Sequence, residues 1–184
     1  FARGYLARMR RGRQGVMEHL RSPRPQNLPM PTFVQLRVTN LCNLRCEMCT
    51  WSVEAMPKGI NFPVEKYKEI ILKGVPKGLR SLDMSYVNEP LIRKDLPDLI
   101  RFARDNGIMD VAFNTNAMLL TPEYADALLD SGLTRIQFSL DGFKPETVEK
   151  VRAGADHKRV VTNILGFIEK KKARGLKVPL TAVS

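Results

Sequence analysis

Apolar residues recur along this chain with two alternating periods. From Phe33 to Thr39 they fall at Val34, Leu36 and Val38, the every-second-residue pattern of a strand with one buried face. Pro63 to Lys73 then predicts a helix, with Pro63 suited to the first turn and Tyr67, Ile70 and Ile71 on one side. Leu79 to Tyr86 reads as a second strand. Asp95 to Asn106 predicts a helix carrying Leu96, Leu99, Ile100 and Ala103 at helical spacing, closed by Gly107. Ile108 to Asn114 is a third strand, and Thr121 with Pro122 opens a helix that stops at Ser131 and Gly132. Leu133 to Leu140 gives strand four. A short helix from Pro145 to Val151, a longer one from His157 to Arg174 and a strand beginning at Lys177 complete the series.

Strands that alternate with helices pair in parallel through right-handed crossovers, and their regular return predicts an α/β barrel or partial barrel. Such folds place their chemistry at the C-terminal ends of the strands. Four polar segments occupy that position: the cysteine loop after strand one, Asn88-Glu89-Pro90 after strand two, Asn114-Thr115-Asn116 after strand three, and Ser139 to Gly142 at the end of strand four. Each segment alone is ordinary turn chemistry, since asparagine, aspartate and glycine favour turns. Their shared rim gives them a common purpose.

All three cysteines, Cys42, Cys46 and Cys49, lie in the segment CNLRCEMC. An odd number of cysteines without a distant partner argues against a disulfide framework and for a reducing compartment. Spacings of four and three would also make an apolar helical stripe, but the strand before the segment and the turn formers Asn40 and Asn43 favour a loop. Three thiolates around a [4Fe–4S] cube leave one iron open for another ligand. Zinc would need a fourth ligand, and His19 and His157 stand at no recognisable zinc-finger spacing from the cysteines.

CNLRCEMC resembles the CxxxCxxC signature of the radical S-adenosylmethionine (radical SAM) enzymes. Three later segments resemble family elements in the expected order. Ser85-Tyr86-Val87-Asn88-Glu89-Pro90 is similar to the GGEP element, with Val87 and Asn88 in place of the glycines. Phe113 to Ala117 is similar to the TNG element, with Ala117 where glycine is usual, and Ile136 to Gly142 resembles the SxDG strand, followed by Arg152. The resemblance spans about residues 33 to 184. It implies a TIM-like radical SAM barrel, a [4Fe–4S] cluster held by Cys42, Cys46 and Cys49, and SAM on the open iron. For SAM it implies contacts from Glu89 and its neighbour Asn88 to the methionyl amine and from Arg152 to the carboxylate; the amide and hydroxyl groups of Asn114, Asn116 and Ser139 suit the ribose or methionyl part, and Asp141 is a further cofactor-binding candidate. Met48, where the family often has an aromatic residue, is a candidate to pack on the adenine. A strand-end SxDG with a downstream arginine further resembles the SPASM or twitch subgroup. The family's barrel has six strands, so this chain, ending at Leu180 to Ser184, is expected to hold a partial barrel truncated in or after strand five.

With 184 residues and 43% apolar content the chain can bury one core, and no apolar run reaches the roughly 18 residues that span a bilayer. It opens on Phe1 with no leader pattern, which fits a trimmed segment of a cytoplasmic protein. Residues 1 to 30 differ from the rest. They carry seven arginines against the single acid Glu18, about +6 of the net +11, and end in a proline-rich linker. Such an arm suits an acidic partner or an anionic membrane surface, but its apolar residues are too sparse for a strong membrane face, and a solvated amphipathic helix is the simplest expectation. Charge alone is no basis for nucleic-acid binding. The core proper is expected over residues 31 to 184.

The resemblance implies an enzyme in which a one-electron donor such as flavodoxin or ferredoxin reduces the cluster, and a 5′-deoxyadenosyl radical from SAM takes hydrogen from a peptide, sugar or other small molecule. The rival expectation is a non-catalytic cluster or zinc protein that binds an acidic partner through its arm. No general acid or base is identifiable from the sequence.

Overall fold

A computed structural model describes residues 31–53 and 59–184. The basic arm, with its expected amphipathic helix, lies outside them. The strands are β1 (Phe33–Gln35), β2 (Arg45–Cys46), β3 (Ser81–Asp83), β4 (Asp110–Thr115), β5 (Arg135–Phe138), β6 (Arg152–Ala153) and β7 (Leu180–Val183). The helices are α1 (Thr50–Val53), α2 (Val64–Gly74), α3 (Leu96–Asp105), α4 (Pro122–Asp130), α5 (Pro145–Val151) and α6 (His157–Ala173). Five strands form one parallel sheet in the order β1-β3-β4-β5-β7, the order of a barrel wall laid down in chain sequence. The expected α/β architecture with five parallel strands is present.

The register explains which residues form the core. Leu82 stands beside Val111, Phe113 beside Ile136, and Thr115 beside Phe138, so one sheet face presents a continuous apolar surface. Helices α2, α3, α4 and α6 cover it with Tyr67, Ile71, Leu99, Ile100, Leu128, Ile164 and Phe167, all buried. Phe138 meets Phe167 edge-on, with ring centroids 5.6 Å apart. The Tyr67 hydroxyl, otherwise an orphan in this core, donates to the Leu99 carbonyl at 2.9 Å. The opposite face is different. Its rows, Gln35–Asp83–Ala112–Arg135–Leu180 and Asn114–Gln137–Ala182, are mostly polar, and among the described residues no helix of the core packs on them.

Helix boundaries follow the sequence expectation within a residue or two. The strands are shorter than expected: β1 stops at Gln35 rather than Thr39, and β3 covers Ser81–Asp83 rather than Leu79–Tyr86. The residues beyond them are spent on other bonds. The carbonyl of Val38 accepts from the Phe62 amide at 2.8 Å and from the guanidinium of Arg93 at 3.0 Å. Arg93, buried, also donates to the Phe62 carbonyl at 2.7 Å and forks onto both Asp95 carboxylate oxygens at 2.8 and 2.6 Å. It clamps the approach to the cysteine loop against the start of α3. The antiparallel pair β2–β6 was absent from the sequence expectation, because a two-residue ladder has no periodicity to detect. Among the described residues no helix is long and apolar enough to cross a membrane.

Replacing Phe138 by alanine removes a fully buried ring together with its edge-on contact. The loss is expected to be about 3–5 kcal/mol, read as a shift in the urea unfolding midpoint at unchanged slope.

Candidate functional site

The cysteine loop is shaped by its neighbours before any cofactor is considered. The Leu41 amide donates to Thr39 Oγ1 at 3.2 Å, and the Leu41 carbonyl accepts from the Glu89 amide at 2.8 Å. The Leu44 amide donates to Cys42 Sγ at 3.5 Å. Cys46 lies in β2 directly opposite Arg152 in β6, and the Glu47 amide extends this ladder to the Val151 carbonyl at 2.9 Å. The Cys49 amide turns back to the Cys46 carbonyl at 3.1 Å. The three cysteines are therefore not a helical stripe. They line one cavity of about 210 Å³.

That cavity also receives Met48, Asn88, Glu89, Asn114, Asn116, Ser139 and Arg152, so the structure brings together all but one of the expected site residues. The exception is Asp141. It lies outside the lining, in the left-handed region at φ 63°, with its carboxylate 2.5 Å from Arg152 Nη2. Its role in the geometry is to hold the arginine. Arg152 follows α5 in a strand, and among the described residues its buried Nε has no hydrogen-bond partner. A buried guanidinium donor left free beside a cavity fits an anionic ligand group.

Glu89 is 1% exposed and central. One carboxylate oxygen accepts from Thr115 Oγ1 at 2.7 Å and from the Leu91 amide at 3.0 Å; the other accepts from the Asn116 amide at 2.8 Å. Burial pushes its carboxyl above the usual carboxylate range, against the pull of these donors and of Arg152. The asparagines differ in availability. Asn116 spends its side chain on Asn43 Oδ1 at 3.0 Å and on the Met118 amide at 3.0 Å. Asn88 holds the Tyr86 amide at 2.7 Å. Asn114 makes no side-chain hydrogen bond among the described residues and is exposed. Met48 is 58% exposed at the cavity edge. Ala117, at the position where the resembled family element has glycine, sits at φ 58°, a conformation that costs an alanine about 1–2 kcal/mol.

Sequence reasoning missed Thr115, Ser85 and Asn43. Thr115 lay inside the quoted Asn114-Thr115-Asn116 segment, and its strand position, beside buried Phe138, was the signal that its hydroxyl points away from the bare face.

Burial pushes the Cys42 thiol up to about 11, aided by the Glu89 charge and the other cysteines and opposed by the Leu44 amide. Cys46 is likewise raised by burial, with Arg152 opposing. Thiolates are thus costly here until a cation arrives, and metal loading must release protons. Among the described residues no three His, Cys, Asp or Glu side chains, the three cysteines included, stand close enough together to hold a single ion. Three thiols spread around one cavity, with a free guanidinium donor across it, fit a larger inorganic core that binds a second, anionic partner.

Parallel strands carrying cofactor loops at their C-terminal ends define an α/β protein of the barrel-enzyme class. The pattern of the radical SAM superfamily matches residues 36–178, and the chain belongs to that superfamily. A [4Fe–4S] cluster and SAM are the cofactors that go with it. The chain is 31% identical over 135 residues to a GTP 3′,8-cyclase of Alkaliphilus oremlandii, covering 72% of this chain and 42% of that protein. It is 33% identical over 135 residues to a probable GTP 3′,8-cyclase of Methanococcus maripaludis, covering 73% and 45%. The chain thus spans less than half the length of these relatives. Among solved structures, SuiB of Streptococcus suis bound to S-adenosylmethionine has a TM-score of 0.66 at 19% identity, over 77% of this chain and 32% of that one, a likeness of fold.

In the iron-free protein, the raised Cys42 thiol is expected to react with iodoacetamide at pH 8 about tenfold or more slowly than an unburied cysteine peptide. The rate should keep climbing as the pH approaches 11. Site-resolved mass spectrometry of timed alkylation checks both points.

Proposed function

We propose that residues 31–184 are the cofactor-binding part of a radical SAM enzyme acting on a small polar molecule, sugar or peptide. The observation that carries this reading is the meeting of three cysteines, the buried Glu89 carboxylate and the unpartnered Arg152 Nε around one cavity. Cys42, Cys46 and Cys49 would hold the cluster and leave one iron for SAM. Arg152, fixed by Asp141, would bind the SAM carboxylate through its free donor. Glu89, anchored by Thr115 and Asn116, would offer its remaining lone pairs to the SAM amine, with Asn88 beside it. Asn114 and Ser139 would serve the ribose or methionyl part, and Met48 would cover the adenine. Asn116 would act indirectly, by holding Asn43 in the cysteine loop.

When bound, the two cofactors supply reductive cleavage of SAM to a 5′-deoxyadenosyl radical that abstracts hydrogen from substrate. The residues supply orientation, partial exclusion of water and the charge that holds a zwitterionic methionyl group. A flavodoxin or ferredoxin would deliver the electron, and reduced thiols suit the cytoplasm. The relatives named GTP 3′,8-cyclases put a purine nucleotide among the candidate substrates. The SPASM or twitch assignment rests on the SxDG strand and Arg152 alone. The basic arm is proposed to contact an acidic surface, such as that of an electron donor.

After anaerobic reconstitution, substitution of any one of Cys42, Cys46 or Cys49 by alanine is expected to remove most of the iron and sulfide. Unchanged cluster content in such variants would refute the ligand assignment. The reduced wild-type protein given SAM should form 5′-deoxyadenosine and methionine, and Arg152→Leu should weaken SAM binding at least tenfold with iron content retained. An intact cluster that never cleaves SAM would leave the chain as a binding protein.

A further inference from the structure

We propose that Asp83, on the polar, helix-free face of the sheet, selects a substrate presenting N–H or O–H donors rather than a polyphosphate. The inference deepens the radical SAM reading and rests on it for the place of the reaction. A cavity of about 240 Å³ lies over this face, lined by Asp83, Asn114, Arg135, Gln137 and Leu180 among others. Asn114 lines both this cavity and the one holding the cysteines. Hydrogen transfer requires the reacting atoms in contact, so a substrate must occupy space that adjoins the cofactors. The apolar groove beside α6, lined by Phe143, Leu165 and Ile168, shares no residue with the cysteine cavity.

The chemistry of the face is specific. Asp83 Oδ1 accepts from the Ser85 amide at 2.9 Å and from Ser85 Oγ at 2.6 Å, which fixes the carboxylate, while no donor among the described residues reaches Oδ2. The side-chain amides of Asn114 and Gln137 make no hydrogen bond among the described residues. Gln35 gives its amide to the Ser85 carbonyl at 2.8 Å and keeps its oxygen. The cation of the face is already committed: Arg135 forks onto Asp110 at 3.0 and 2.6 Å, and Asp110 also accepts from Ser81 and Thr134. Arg37 continues the β1 alternation but is not among the lining residues. Asp83 also acts electrostatically on Arg135, so the two carboxylates of Asp83 and Asp110 face one guanidinium and one negative charge remains in excess. A carboxylate flanked by two free amides binds an amine, guanidine, amide N–H or hydroxyl group well and repels a chain of phosphates.

The test uses the full chain, reconstituted anaerobically and loaded with SAM, with methylguanidinium and inorganic tripolyphosphate as probes in ligand-observed saturation-transfer NMR. Asp83→Asn keeps an oxygen for Ser85 and is expected to weaken methylguanidinium at least tenfold. Asp83→Lys is expected to abolish it and to tighten tripolyphosphate at least threefold. Binding of tripolyphosphate to the basic arm is common to all variants and cancels in the comparison. Gln137→Leu provides a second variant, on a half-buried amide, with an expected loss of about threefold. Thermal unfolding and iron content verify folding. Methylguanidinium binding that is absent, or equal in wild type and Asp83→Asn, overturns the proposal, as does GTP binding that Asp83→Lys leaves unchanged. Formation of 5′-deoxyadenosine by the wild type is measured separately. Its absence alongside Asp83-dependent binding refutes the radical chemistry and not the selection by Asp83.

Discussion

A carboxylate sealed from water is the constraint around which the rim is organised. Removing such an anion from water costs several kcal/mol, and each hydrogen bond to a charged group returns about 1.5–3. Glu89 accepts three, from Leu91, Thr115 and Asn116, and its own amide reaches the Leu41 carbonyl. These partners belong to the loop after β3, the end of β4 and the cysteine loop. None of the three segments can shift without exposing or orphaning the charge. Turns that would individually have many conformations are thereby fixed relative to one another.

The same electrostatics explains why the cysteines are neighbours of both signs of charge. Glu89 raises the cost of a thiolate at Cys42, and Arg152 lowers it at Cys46. A cationic inorganic core would relieve the first and tolerate the second, so the site favours the loaded state over free thiolates. Asp141 holds Arg152 through its Nη2, and among the described residues Nε has no hydrogen-bond partner.

Much of this arrangement is visible in the sequence, and the visible part has a physical reason. Helices are legible because Tyr67, Ile71, Leu99, Ile100 and Ala103 repeat with the pitch of the helix and are buried as that pitch requires. The rim is legible because Glu89, Asn114 and Ser139 stand just where apolar strands end. The pairing of Arg152 with Cys46 is not legible, since two residues cannot display a period. Neither is the division of labour among the asparagines: Asn114 and Asn116 read alike as letters, yet one amide is spent inside the protein and the other faces open space. Asp141 reads as a ligand-facing residue, whereas its left-handed backbone turns the carboxylate toward Arg152.

The short ladder between β2 and β6 joins residues that are far apart in the chain, Cys46 with Arg152 and Arg45 with Ala153. A nascent chain presents CNLRCEMC before the strand that props it, which arrives about a hundred residues later. At a synthesis rate of roughly 5–20 residues per second, the thiols wait several seconds or more before their support exists. Cluster insertion into the finished geometry therefore follows synthesis of β6, and until then the cysteines lack the burial that raises the Cys42 and Cys46 thiols in the folded chain, so the interval is when they are most open to oxidation and stray metals.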